Sequence, residues 1–290
     1  MAVKHLNLYT NYGFHRVFSN ESSSQIILDF LNSLIQGKSK IKEIIFNDCD
    51  LIRFLPIRND VFDIICINEE GEKIIIEIQK YNTNFFPKRS DYIADIPIMK
   101  IVENETYFNQ FGKIYCLGIL NFNFIDYGDD PTKNNVLHEI KLRNPEGKVF
   151  YDKLTYIYLE MPNFRKTENE LVTRLDKWLY FIKNLEDFQS IPEKFKNEVV
   201  FLEAFGKAEI SKFNQSEMSV YQSNLKILRD WYSITKYATD EAERKGMERG
   251  MEKGLEEGIE KVAKSLKDSG MDTDFIVKAT GLSADEIGKL

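Results

Sequence analysis

Two acids stand where a sequence of this kind rarely keeps them. Asp63 lies in VFDIICIN and Glu77 in KIIIEIQK, with Gln79 two residues further on. Both runs are rich in β-branched residues and read as strands, an environment that disfavours carboxylates. Glu69, Glu70 and Gly71 separate the runs. A three-residue hairpin loop calls for a type I turn followed by a residue in the left-handed region, and Gly71 suits that last position. Asn68 then faces Glu72, and counting back along both strands sets Asp63 opposite Glu77 and Val61 opposite Gln79. Period-two alternation places these positions on one side of the hairpin.

Facing carboxylates with Cβ atoms about 5 Å apart repel one another unless a cation lies between them. Hard oxygen ligands around an open coordination sphere suit Mg²⁺ or Mn²⁺, which polarises a phosphate and lowers the pKa of an attacking water. Asp63 and Glu77 are therefore the expected metal ligands. The plainer reading, a pair of solvated acids at a sheet edge, fits poorly with Ile64, Ile65, Ile74 and Ile76 beside them. Gln79 draws its interest wholly from Glu77 two positions earlier.

The elements that must hold these residues follow from periodicity. Ile26, Ile27, Phe30, Leu31 and Leu34 recur at helical spacing behind a serine run, predicting a helix over Gln25–Leu34 that ends before Gly37. Strand-like stretches follow at Glu43–Phe46, Val61–Asn68, Glu72–Gln79, Lys113–Phe124, Val136–Leu142 and Leu154–Glu160. Ser90–Gln110 reads as helical, with Pro97 starting or breaking it. Helix, strands, helix, strand is a mixed α/β order.

Beyond Pro162 the strand signal stops. Leu171, Leu175, Trp178, Leu179 and Ile182 form one apolar helical face; Val199, Leu202 and Phe205 suggest a second. Tyr221, Leu225, Leu228, Trp231 and Ile234 suggest a third. A repeat of period four comes next, with Gly246, Gly250, Gly254 and Gly258 in one row and Met247, Met251, Leu255 and Ile259 beside it. Glycine lets two helices approach closely, which makes this row a candidate homo-oligomer contact. Glycine also costs a helix about 1 kcal/mol per site, which makes a mobile tail the equal alternative. Two short helices close the chain, the first with Asp272 placed to cap it and the second with a Ser283–Glu286 capping box.

Composition narrows the function classes. Hydrophobic residues at 43% suffice for a packed core, so a disordered chain is excluded. The net charge of -7 gives no global basic footprint for nucleic acid, although an acidic metal site and local cations remain compatible with it. Cys49, Cys66 and Cys116 are odd in number and widely spaced, which argues for small buried hydrophobes in a reducing compartment rather than zinc ligands or disulfides. His5, His15 and His138 have no partner at metal spacing and read as structural. Tyr12, Phe14 and Phe18 read as core. No signal peptide or membrane-length apolar run is present, so a soluble, cytoplasmic protein is expected.

An acid in one strand and Glu-x-Lys or Glu-x-Gln in the next resembles the PD-(D/E)XK nuclease superfamily. The spelling here is similar to its transposase-like branch, the Rpn recombination-promoting nucleases. The likeness runs through most of the chain: FHRVF and LDFLNSLI, DVFDI with IIIEIQ, the Arg89-Ser90 segment, KIYCLGILNFNF, LHEIKLRN, YIYLEMPNF, LRDWYS and the Gly-rich tail. It implies an α/β, restriction-endonuclease-like mixed-sheet core over residues 1–165, a helical region over 166–240, and the Gly-row helix with two terminal helices over 241–290. It also implies a Mg²⁺- or Mn²⁺-dependent DNA endonuclease related to transposition and recombination. Asp63 and Glu77 match the family's acids, and Gln79, as the third catalytic residue, would orient the water. Many superfamily members have lysine there, whose charge an amide lacks. Lys80 falls on the opposite face. Arg89 is a candidate for a DNA phosphate, with a surface ion pair as its alternative, and Lys88 and Tyr92 are weaker ones. Glu21 reads as a solvated helix-start acid or an added metal ligand. Two rivals stand beside the nuclease reading: a catalytically silent nucleic-acid-binding or regulatory protein, and a scaffold assembled through the Gly-row helix.

Overall fold

A computed structural model describes residues 3–19, 21–35, 40–45, 61–71, 73–81, 111–123, 134–149 and 153–290 of the chain. Its contacts divide into two compact units, Met1–Trp231 and Tyr232–Leu290. In the first, helix α1 (Asn11–Phe18) starts at Thr10, whose hydroxyl accepts from the Gly13 amide. Helix α2 (Ser24–Leu34) buries Ile26, Ile27, Phe30, Leu31 and Leu34, the face expected from its spacing.

Among the described residues six strands follow in one sheet: β1 (Ile41–Ile45), β2 (Val61–Asn68), β3 (Lys73–Tyr81), β4 (Phe111–Leu120), β5 (Leu137–Ile140) and β6 (Leu154–Glu160). Their order across the sheet is β1-β2-β3-β4-β6-β5. The β1–β2, β2–β3 and β6–β5 pairs are antiparallel, whereas β3–β4 and β4–β6 are parallel. All six expected strands are therefore present, Val61–Asn68 and Leu154–Glu160 with the expected ends and the other four with shifted ends. The helix expected over Ser90–Gln110 lies outside the described residues.

The central strands are covered on both faces. Tyr115, Leu117 and Ile119 of β4 and Ile157 and Leu159 of β6 join the main core with α1, α2 and the later helices. On the opposite face Ile114, Cys116, Leu120, Leu154, Tyr156 and Tyr158 form a separate cluster. Every residue of β6 is buried, which explains why LTYIYLE shows no polar alternation.

Helices α3 (Arg174–Asn184) and α4 (Val199–Ala208) pack into the main core rather than building one of their own. A capping box between Thr173 and Asp176 starts α3, so Leu171, expected on its face, is buried just ahead of it. In α4 the buried positions are Phe201, Ala204, Phe205 and Ala208, while Val199 is 69% exposed and Leu202 37%. The expected face was off by part of a turn. Two alanines complete the i, i+3, i+4, i+7 stripe, and these aromatics pack on Trp178, Phe181 and Phe195. The amino-terminal segment is stitched to this half: the Leu6 amide donates to Ala208 O at 2.9 Å, and the Ile210 amide to Lys4 O at 3.0 Å.

Helix α5 (Gln215–Asp268) buries Tyr221 and Leu228, and the two units divide along it. Ile234, expected to continue that face, is 69% exposed. The second unit carries the glycine row. A Cβ built on Gly246, Gly250, Gly254 or Gly258 meets nothing within 4 Å, and Met247, Met251 and Leu255 beside them are exposed. Helices α6 (Thr273–Thr280) and α7 (Ala284–Lys289) pack against the end of α5 through Ala263, Ile276 and Ile287. The Ser283–Glu286 capping box forms; Asp272 is the N-cap of α6 but makes no side-chain capping bond. Among the described residues, no helix is long and apolar enough to cross a membrane.

One polar cluster ties α2 to α3. Arg174 donates to both carboxylate oxygens of Asp29, at 2.6 and 2.8 Å, and Trp178 Nε1 donates to Asp29 Oδ1 at 2.7 Å. Trp178 is fully buried, so its N–H must keep an acceptor. Replacing Asp29 by alanine removes it at a cost of about 2 kcal/mol. Thermal denaturation of Asp29→Ala should show a melting temperature lower by about 4–8 °C. An unchanged melting temperature would remove this cluster from the supports of the fold.

Candidate active site

The β2–β3 hairpin is built as its turn residues require. Gly71 adopts φ +79°, and its amide donates to Asn68 O at 3.1 Å. The ladder that follows sets Asp63 opposite Glu77, Ile64 opposite Ile76, and Val61 opposite Gln79. Glu72, expected to face Asn68, lies outside the described residues, but Ile67 faces Lys73 in the same register.

β3 is an interior strand, so each of its positions has a neighbour on the other side as well. Glu77 pairs with Cys116 and Gln79 with Gly118 of β4. Across the next ladder Cys116 pairs with Tyr156 and Gly118 with Tyr158. On β5, Ile140 pairs with Tyr156 and His138 with Tyr158. Two rows therefore cross the sheet, Asp63–Glu77–Cys116–Tyr156–Ile140 and Val61–Gln79–Gly118–Tyr158–His138. Paired residues share a face, and Cys116, Tyr156 and Tyr158 belong to the cluster opposite the main core. The candidate acids thus hold register positions on the face turned away from α1 and α2. Lys80 pairs with Ile119, a main-core residue, so it holds a position on the other face, as alternation requires.

Arg89, Lys88, Tyr92 and Cys49 lie outside the described residues. Glu21 opens a 3-10 turn, Glu21–Ser23, just ahead of α2. Cys66 and Cys116 are buried thiols outside any disulfide, and burial pushes the Cys66 thiol up to about 12, which leaves it protonated and unreactive. His5 fits the structural role: it is buried, its Nδ1 lies 2.9 Å from Phe188 O, and desolvation holds its pKa below the usual histidine value. No group of three or more His, Cys, Asp and Glu side chains that could hold a metal occurs among the described residues.

Sequence reasoning gave His138 no role in the site. Its placement in the Gln79 row depends on β5 pairing with β6 and on β6 lying beside β4, and no local pattern announces either.

The sequence profile of the family described as PD-(D/E)XK nuclease family transposase matches residues 8–238, most of the chain. No curated protein and no solved structure matches it.

The turn that sets the register is open to test. A Cβ on Gly71 would meet nothing within 4 Å, so substitution acts through the backbone alone. The left-handed conformation costs a side chain about 1–2 kcal/mol. Gly71→Val should therefore lower the melting temperature by about 2–8 °C. Gly71→Asn should lose clearly less, because asparagine tolerates that conformation. Equal losses would detach hairpin stability from the φ of residue 71.

Proposed function

Because the chain belongs to the PD-(D/E)XK nuclease family transposases, we propose that it is a divalent-metal-dependent DNA endonuclease acting in transposition or recombination. The observation that carries this reading is the ladder register, which sets Asp63 and Glu77 face to face with Gln79 two residues on in β3. Nucleases of this type generally use divalent metals and act on DNA.

The donor set fits such an ion. Two facing acid positions offer hard oxygen ligands, and a cation between them relieves the repulsion that would otherwise oppose their shared ionisation. When bound, Mg²⁺ or Mn²⁺ supplies Lewis-acid polarisation of the scissile phosphate and a more acidic water. Asp63 and Glu77 hold the ion. Gln79 contributes amide hydrogen bonds that orient the attacking water. It brings no charge, so the transition state lacks the cation that lysine gives other members, a difference on the order of a hundredfold. Lys80 does not replace it from its register position beside Ile119. Arg89 and Lys88 are proposed to meet DNA phosphates, a local supply of positive charge in a chain whose net charge is -7. Buried thiols outside any disulfide at Cys66 and Cys116 suit a reducing compartment such as the cytoplasm.

Supercoiled plasmid incubated with Mg²⁺ or Mn²⁺ should be nicked or linearised by the native chain. Asp63→Ala should reduce the rate at least about a hundredfold, and it should also abolish the rise in melting temperature that Mn²⁺ gives the native protein. Gln79→Ala should slow cleavage with an unchanged Mn²⁺ midpoint, because the amide is not a principal ligand. A folded native chain that binds DNA and never cuts it would favour the silent binding protein instead.

A second reading concerns the tail. We propose that the Gly246–Gly258 row is a contact between two copies of the chain, supported by the exposed Met247, Met251 and Leu255 and by the open space over each glycine. Deleting residues after Asp240 should leave a folded core of lower oligomeric mass by light scattering. An unchanged mass would leave the row without an interface role.

A further inference from the structure

On its β5 side the sheet runs into a small basic hairpin that the metal chemistry does not use. Ile140, the last residue of β5, stands on the row that holds Asp63 and Glu77, and the chain then leaves the sheet. Arg143 and Val149 form a bridge, and residues 144–148 between them make the turn. The Asn144 amide donates to Lys148 O at 2.9 Å, and the Gly147 amide to Asn144 O at 2.9 Å. The Lys148 amide donates to Asn144 Oδ1 at 2.8 Å. Gly147 takes φ +80°, and Arg143 Nη1 donates to its carbonyl oxygen at 2.7 Å. Backbone, the Asn144 side chain and Arg143 together tie the turn, so its cations are carried on an ordered support.

What this hairpin offers a partner is charge. Residues 141–148 hold Lys141, Arg143 and Lys148 against one acid, Glu146, in a chain whose net charge is -7. Lys141 is half-buried and pairs with Glu139 at 3.5 Å. Arg143 and Lys148 are exposed, one on each arm, and among the described residues neither makes an ion pair. The Arg143 guanidinium spends one N–H on Gly147 and has others to give. The apolar side chains are mostly covered: Ile140, Leu142 and Val149 are 37%, 39% and 37% exposed, against 71% for Met247 and 79% for Met251. A protein partner needs an apolar centre that this hairpin does not present. Unpaired cations on an ordered turn suit a polyanion, whose phosphates are met by Arg and Lys without regard to sequence.

We propose that this hairpin binds the DNA backbone beside the cut, with Arg143 and Lys148 meeting its phosphates; this rests on the nuclease reading. β5 runs toward the end of the sheet at which β6 begins, because Leu137 pairs with Leu159 and Ile140 with Tyr156. The hairpin therefore lies beyond the β5–β6 ladder, and DNA reaches it without lying over the buried residues of β6. Three strand spacings separate Ile140 from Glu77, about 14 Å. The chain from Ile140 to Arg143 adds at most about 11 Å. Their sum is shorter than one turn of duplex DNA, about 34 Å, so a single duplex spans both. These contacts act on affinity and leave the chemical step alone.

The test is fluorescence-anisotropy titration of a labelled DNA duplex, with Ca²⁺ in place of the catalytic ion and salt varied. The variant combines Arg143→Gln with Lys148→Gln, exposed substitutions that keep polar side chains. It should melt at the native temperature, bind about tenfold more weakly, and show a slope of log affinity against log salt smaller by about two. Arg143→Lys with Lys148→Arg should keep the native slope, because both charges remain. Lys264→Gln with Lys278→Gln removes the same charge from the second unit and should also keep it. In plasmid cleavage the double glutamine variant of the hairpin should raise KM and leave kcat unchanged. An equal fall of slope in the Lys264 and Lys278 variant would overturn the proposal, because net charge would then explain the loss. A native slope in the hairpin variant with a lower oligomeric mass by light scattering would assign the hairpin to a second copy of the chain instead. Native DNA binding that is undiminished in the hairpin variant removes this contact alone. A native chain that neither binds nor cuts DNA removes the nuclease reading and the contact with it.

Discussion

The register of the β2–β3 ladder is the constraint on which the candidate site depends. Strand side chains alternate between faces, so a slip of one residue would send Asp63 and Glu77 to opposite sides of the sheet and leave no shared ion. Gly71 holds the turn that fixes the count, because its φ of +79° is open to glycine and strained for most other residues. β4 then extends the register on the other side of β3, setting Cys116 beside Glu77 and Gly118 beside Gln79. A candidate site on an interior strand inherits its precision from two ladders, which an edge strand could not provide.

The division of labour between the two sheet faces follows from burial. One face is sealed by α1, α2, α3 and α4 in a core crowded with aromatics, Trp178 contacting Phe18, Phe30, Phe181 and Phe201. The sequence suggests a nuclease core with a helical region packed on it or projecting from it, and α3 and α4 pack on the same core as the strands. The Asp29–Arg174–Trp178 cluster and the pairing of residues 4–6 with 208–210 join the two ends of the first unit. Such packing fixes β4 and β6 beside β3 in the sheet, and a well-packed support is what a site needs to keep its groups at fixed separation.

The chemistry implied by Gln79 is that of a site with little positive charge of its own. The chain is acidic, and the third position of the motif contributes an amide where lysine is common in the superfamily. Under the proposed function, transition-state charge would be met largely by the metal, and DNA would be held by a few placed cations instead of a broad basic surface. An individual contact such as that proposed for Arg89 would carry more weight in that setting than on a basic nuclease.

Much of this was legible in the sequence because it is local. Alternation, a three-residue turn and a glycine suffice to pair Asp63 with Glu77, since a hairpin's register is fixed within its own residues. The strands from Ile41 to Glu160, the buried stripe of α2 and the Ser283–Glu286 capping box are local in the same sense, and the order of motifs along the chain identified the family. What needed the tertiary structure is what depends on distant partners. The buried stripe of α4 includes Ala204 and Ala208, which hydrophobicity alone does not mark, and Val199 and Leu202 were left exposed. The parallel pairing of β3, β4 and β6, with β5 folded back to the edge, is set by packing across the whole sheet. Only that order sets Gly118 and Tyr158 on the row that holds Gln79, because register between strands far apart in sequence is decided by the core they share and not by the residues between them.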